Sequence, residues 1–149
     1  MRSVVIVITS VFLLFFASCN RCKQDCVHGV CIEKSCACHL WYGGDGCEEL
    51  SLAQYTGYYR GELVADTMRQ NVGFNLISDP SAPSILFCDS LSIDLRFVDD
   101  TRFDIDAQSW EGKSVFGDGE MLIEAISFQF KSSADTTNRQ YTVLAFRRN

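Results

Sequence analysis

Six cysteines within 26 residues constrain this chain more than any other feature: Cys22-x3-Cys26-x4-Cys31-x4-Cys36-x-Cys38-x8-Cys47. A segment that short cannot bury enough apolar surface to offset its chain entropy, so staples must replace the core. Zinc sites use paired cysteine ligands separated by a longer stretch. Six cysteines with a tight Cys36-x-Cys38 pair fit disulfides instead. Six cysteines allow fifteen pairings, so spacing alone leaves the connectivity open.

The run Cys36-Ala-Cys38-His-Leu-Trp-Tyr-Gly-Gly44-Asp-Gly-Cys47, with a glycine three residues before the last cysteine, resembles the EGF-like module. That resemblance implies the pairing Cys22 to Cys31, Cys26 to Cys36 and Cys38 to Cys47. Gly43, Gly44 and Gly46 are expected to supply unusual backbone angles in the final turn. Trp41 and Tyr42 form a candidate contact surface, or else a cover for the last disulfide. Calcium-binding modules of this kind carry acidic residues before the first cysteine, where this chain has Asn20-Arg21. No calcium, other metal or cofactor is expected. His28 and His39, the only histidines in the sequence, read as surface residues.

Upstream, Met1-Arg2-Ser3 is followed by thirteen residues, 4–16, interrupted only by Thr9 and Ser10. A bilayer span needs about 20 apolar residues; this run has the length of a signal-peptide core. It ends in Phe16-Ala17-Ser18-Cys19, which resembles a bacterial lipobox. The resemblance implies cleavage after residue 18 and acylation of Cys19, giving a membrane anchor through an N-terminal lipid. Cleavage after Cys19, with Ala17 and Cys19 as the small pair, is the alternative. Two cysteines lie outside the set of six, Cys19 and Cys88. If Cys19 carries lipid, Cys88 is a lone buried thiol; if not, the two could pair.

Residues 51–149 show short alternating runs and no sustained 3.6-residue period. Strands are expected at 55–64, 69–77, 84–91, 93–98, 102–107, 113–123, 126–131 and 141–146. Alternation is cleanest around Phe103, Ile105, Phe128 and Phe130, which places these inward and Asp104, Asp106, Gln129 and Lys131 outward. The fold class is therefore all-β, an antiparallel meander closed as a small barrel or folded as a sandwich. Three runs resemble a group of small Gram-negative bacterial lipoproteins that join one EGF-like module to a lipocalin-like β-meander. They are Tyr55-Thr-Gly-Tyr-Tyr-Arg-Gly, Phe103-Asp-Ile-Asp-Ala-Gln and Gly117-Asp-Gly119. The organisation expected is a signal peptide over 1–18, a lipidated N-terminus and EGF-like module over 19–50, and a β domain over 51–149.

Charge and missing motifs narrow the function. Losing Arg2 with the leader leaves 12 basic against 19 acidic side chains, a formal charge of −7. Such a chain, without a basic stripe, is not expected to bind nucleic acid. No histidine follows His39, so Ser-His or Cys-His catalysis within the β domain lacks its base. Asp99, Asp100, Asp104 and Asp106 are the densest carboxylate group; the first two read as turn residues and the others as a solvated face. The expectation is a non-catalytic, lipid-anchored binding or scaffold protein of the cell envelope, at the outer membrane, with a protein partner. A lipocalin-like carrier of a small apolar ligand is the alternative. Eight phenylalanines beyond residue 70 would line its pocket, or else fill the interior. An envelope hydrolase, or a secreted animal EGF-like factor, fits the residues less well. Replacing Cys19 with alanine should block maturation and leave residues 1–18 attached, visible as intact mass. A Cys19→Ala protein that is still matured and membrane-bound contradicts the lipid anchor.

Overall fold

The structure, a computed structural model, describes residues 22–132 and 139–148. Contacts divide the chain into two units between Glu49 and Leu50. Residues 1–21, with Cys19 and its lipobox-like run, lie outside the described residues.

In the first unit β1 (Gly29–Ile32) and β2 (Ser35–Cys38) form a hairpin. Its two-residue turn, Glu33 and Lys34, has φ of 50° and 70°, the doubly left-handed geometry that matches strand twist. Short strands β3 (Tyr42–Gly43) and β4 (Glu49–Leu50) pair beyond it. Three disulfides join Cys22 to Cys31, Cys26 to Cys36 and Cys38 to Cys47, the pairing implied by the EGF-like pattern. Each closes a loop of 9 or 10 residues, which stabilises the fold by about 2–3 kcal/mol. Among the unit's described residues most side chains are exposed and only Gly46 and Cys47 are fully buried, so these bridges stand where a core would. The final turn differs from expectation at its glycines. Of Gly43, Gly44 and Gly46 only Gly44 has a left-handed φ, 83°, while Trp41 and Cys47 take 73° and 59°.

The second unit begins with a 3-10 helix, Ser51–Tyr55, then eight antiparallel strands. They are β5 (Gly57–Ala65), β6 (Met68–Ser78), β7 (Ile85–Cys88), β8 (Ile93–Phe97), β9 (Arg102–Trp110), β10 (Lys113–Met121), β11 (Ala125–Ser132) and β12 (Gln140–Arg147). Each strand pairs with its neighbours in sequence, and β12 returns to β5, from Thr142 opposite Val64 to Arg147 opposite Tyr59. The meander is a closed barrel rather than a sandwich, which leaves no free sheet edge. Two expected strands are shortened: 89–91 and 122–123 belong to turns.

Eight strands leave an interior that side chains can just fill. Here rings fill it. Phe128 meets Phe74, Phe103 and Phe130 with centroids 6.2–6.3 Å apart. The column continues through Phe97 and Tyr55 on one side and through Tyr141 and Trp110 on the other. Of the eight phenylalanines beyond residue 70, Phe74, Phe97, Phe103, Phe128 and Phe130 are buried, while Phe87, Phe116 and Phe146 lie outside. Gly119 makes room for the column: a Cβ there would collide with Phe128 and with the tip of Phe103.

Registered pairing is shortest between β8 and β9, at Arg96–Asp104 and Phe97–Phe103, and the Val98 N–H also donates to the Arg102 carbonyl at 2.9 Å. On the other edge of β9 the register with β10 shifts between Val115 and Gly117, so β9 holds one extra residue between Ile105 and Gln108. The Gln108 amide compensates across the gap: it accepts from the Asp94 N–H at 2.7 Å and donates to the Asp94 carbonyl at 2.9 Å.

Asp94, Asp104, Asp106, Asp118, Arg60, Glu62, Arg69 and Lys131 stand exposed on the outside. That is the reverse of a membrane-spanning barrel, which shows lipid an apolar band. Phe128→Ala should cost roughly 3–5 kcal/mol, read by denaturant melts of the full chain. The pair Asp104→Asn with Asp106→Asn removes only the exposed Arg96–Asp106 ion pair and should stay within about 1 kcal/mol. A mild Phe128→Ala would mean that the ring column is not the core.

Candidate functional site

The two ends of the barrel differ. One is plugged by the 3-10 helix. Leu52 is buried there, Tyr55 stacks on Phe97, and the Tyr55 hydroxyl donates to the Asp100 carbonyl at 2.9 Å. The Tyr59 hydroxyl donates to the Tyr55 carbonyl at 3.0 Å, and Arg147 donates to the Gln54 and Thr56 carbonyls at 2.9 and 2.7 Å. These bonds tie the plug to the first and last strands.

The other end holds a cup of about 510 Å³, within the usual 300–1,000 Å³ of small-molecule sites. Leu63, Leu91, Trp110 and Tyr141 give it apolar and aromatic walls, and Gln70, Asn71, Ser90, Glu111 and Arg139 line it as polar groups. Trp110 packs edge-on against Phe130 and Tyr141, each at 5.1 Å, and Phe130 stacks on Tyr141 at 5.0 Å. The cup is therefore the upper surface of the ring column. On its rim Arg139 pairs with Asp66 at 3.0 Å. The 89–92 corner, which brings in Leu91, is pinned to β6 by Asp89, which accepts from the Asn75 N–H at 2.7 Å and the Asn75 side chain at 2.9 Å. These bonds hold the Asp89 carboxyl below its ordinary range, the Asn75 side chain contributing most. Ser132, two residues beyond Phe130 on β11, is buried, and its hydroxyl has no hydrogen-bond partner among the described residues.

Sequence reading missed this cup. Strict alternation from Phe103 and Ile105 would turn Trp110 outward, but the extra residue in β9 reverses the parity and brings it in. Nothing in the residues of that run marks the bulge.

Other candidate groups are placed elsewhere. Asp106 faces Arg96 in an ion pair. Asp99 closes its own turn, accepting from the Thr101 and Arg102 N–H groups at 3.0 and 2.7 Å; these bonds hold its carboxyl well below the usual range. Asp104 sits opposite Asp118 on the outer face, so the four aspartates do not converge. In the first unit Tyr42 stacks on His28 with centroids 3.9 Å apart, and Trp41 is half-buried. Tyr42 thus covers a histidine ring. The sulfurs of Cys22, Cys26 and Cys36 lie within 4.8 Å of one another, but disulfides occupy them, so they offer no thiolate to a metal. A second cleft, about 490 Å³, lies beside Cys22 and Cys36; exposed Lys23, Lys34 and Asp45 wall it without an apolar floor.

Comparison with protein-family models, with curated proteins and with solved structures finds no significant match.

Cys88 is buried on the inward face of β7 and is not bridged. Burial pushes its thiol up to about 12. The folded value lies above the unfolded one, about 8.5. Its contribution to stability is thus fully present below about pH 8.5 and is lost as pH rises toward the folded value. The native protein at pH 8 should not react with a disulfide reagent such as DTNB, and urea-unfolded protein should react at once. Rapid labelling of the native thiol would contradict its burial.

Proposed function

We propose that this chain is a lipid-anchored, non-catalytic binding protein of the bacterial cell envelope, in which the barrel presents its open-end cup to a small apolar group. In this reading residues 1–18 are a signal peptide and Cys19 carries the lipid. Residues 20–50 are an EGF-like module, a stapled spacer and protein-contact element whose exposed apolar side chains include Val30, Ile32 and Leu40. The cup carries the proposal. It joins an aromatic floor to a few polar groups at the end of a rigid barrel, the combination that fixes a small ligand.

The filled interior argues against a deep carrier of the lipocalin kind, because no ligand enters the barrel without displacing Phe128 or Phe130. What fits is a shallow, flat apolar group, whether a free molecule or the side chain of a protein partner. Among the described residues Glu111 is the one carboxylate lining the cup, so they offer a hydrolase no carboxylate pair there.

Trp41 and Trp110 are the only tryptophans, so Trp41→Phe leaves Trp110 as a reporter inside the site. Titrating that protein with an anilinonaphthalene sulfonate probe should give saturable energy transfer from Trp110. Leu63→Arg, which places a charge in the cup wall, should weaken it at least ten-fold. Transfer that never saturates, or that Leu63→Arg leaves unchanged, would contradict the cup as the binding element.

A further inference from the structure

The turn between β10 and β11 is unlike the other turns of the barrel. Asp66, Asp89, Glu111 and Asp99 mark four of those, whereas this turn carries Leu122 and Ile123, 47% and 96% exposed. Single exposed apolar side chains need no explanation, but an adjacent pair that joins a larger apolar patch marks a contact for an external partner.

Its neighbours give that partner a chemistry. The Arg147 N–H donates to the Glu124 carbonyl at 2.8 Å, and Ala125 lies opposite Phe146. Phe146 lies opposite Arg60 on β5, and the Arg148 N–H donates to the Tyr58 carbonyl at 2.9 Å. The tip therefore continues into an outer face where Phe146 and Tyr58 are about half exposed and where Phe146 borders a groove of about 630 Å³ with Leu144, Arg60 and Arg148. Arg60 and Arg148 are in no ion pair among the described residues. Arg69 is paired with Glu62 at 3.2 Å, and Glu124 is the one carboxylate in the turn. On a chain that is acidic as a whole, two unpaired arginines thus flank the exposed apolar row.

We propose that this edge, Leu122-Ile123 with Phe146, Tyr58, Arg60 and Arg148, is a docking surface for an anionic lipid bilayer. The two aliphatic side chains enter the headgroup–acyl boundary and the aromatic rings lie at headgroup level, as interfacial segments do. Arg60 and Arg148 meet lipid phosphates. The 3-10 helix that leads into the barrel is bonded to Arg147, the neighbour of both Phe146 and Arg148. The inference goes beyond the cup and does not depend on it.

The test uses mature full-length protein, purified from native membranes and reconstituted in phosphatidylethanolamine vesicles with or without phosphatidylglycerol. Ile123→Trp should be quenched by brominated lipid when phosphatidylglycerol is present, over the wild-type background, and Phe116→Trp on the outer face of β10 should not. Each arginine on an anionic surface is worth about five-fold in partitioning, so Arg60→Glu with Arg148→Glu should abolish the quenching, as should 0.5 M salt, on the order of a 4 Å screening length. A tryptophan at 123 that stays unquenched on every vesicle overturns the proposal. So does a blue shift that needs no vesicles and grows with protein concentration, which assigns the edge to a second copy of the chain. Sedimentation of the Arg60→Glu, Arg148→Glu protein with vesicles reads the lipid anchor alone. Its loss, with wild-type quenching intact, would sink the Cys19 reading and leave this one standing.

Discussion

Phe128 sits where rings from three strands of the barrel meet in one cluster. Its neighbours Phe74, Phe103 and Phe130 come from β6, β9 and β11, so one side chain couples opposite sides of a closed sheet. Rings of this size contribute the largest buried areas and prefer the tilted and offset contacts seen here. The rest of the barrel accommodates them. Gly117 omits a side chain against the β11 backbone at Gln129 and Phe130, Gly119 omits one against the Phe128 Cβ and the tip of the Phe103 ring, and Val143 and Ala145 supply small inward residues on β12. Once the lumen is filled in this way, recognition is left to the ends and the outer surface.

Two stabilising strategies share the chain. The N-terminal unit buries little and depends on three covalent loops; the barrel has no bridge and depends on ring packing and strand closure. Reduction therefore acts on one unit and core truncation on the other. Within the barrel stability is uneven. β8 and β9 share two paired positions, and the Gln108 side-chain amide supplies hydrogen bonds to the Asp94 backbone where strand pairing stops. Local opening starts where backbone pairing is sparse, which places it at this seam, away from the continuous β10–β11–β12–β5–β6 ladders.

The strand order and the inward set around Phe103, Ile105, Phe128 and Phe130 were legible because period-two alternation survives wherever strands are regular. Barrel closure was not, since it depends on β12 meeting β5 across almost the whole domain, and no local signal encodes that meeting. Trp110 was hidden by a single extra residue that reverses the face of everything after it. The final turn of the cysteine-rich unit placed its left-handed angles on Trp41 and Cys47 as well as Gly44, because disulfide closure can impose an angle that composition would assign to glycine. Leu122 and Ile123 read as the end of a strand, and only the turn geometry shows them to be a bare apolar tip.

The same column also explains the unequal ends. At one, Leu52 and Tyr55 continue the packing and close it; at the other, Trp110 and Tyr141 end the stack, with nothing over it among the described residues. The central proposal is that an apolar ligand meets this face and not the lumen. Isotope-edited NMR of the full mature chain with a saturating apolar probe tests it most directly. Intermolecular contacts confined to Leu63, Leu91, Trp110 and Tyr141 are the predicted result. Contacts to Phe74, Phe103 or Phe128 would show that the probe enters the barrel and would contradict the account.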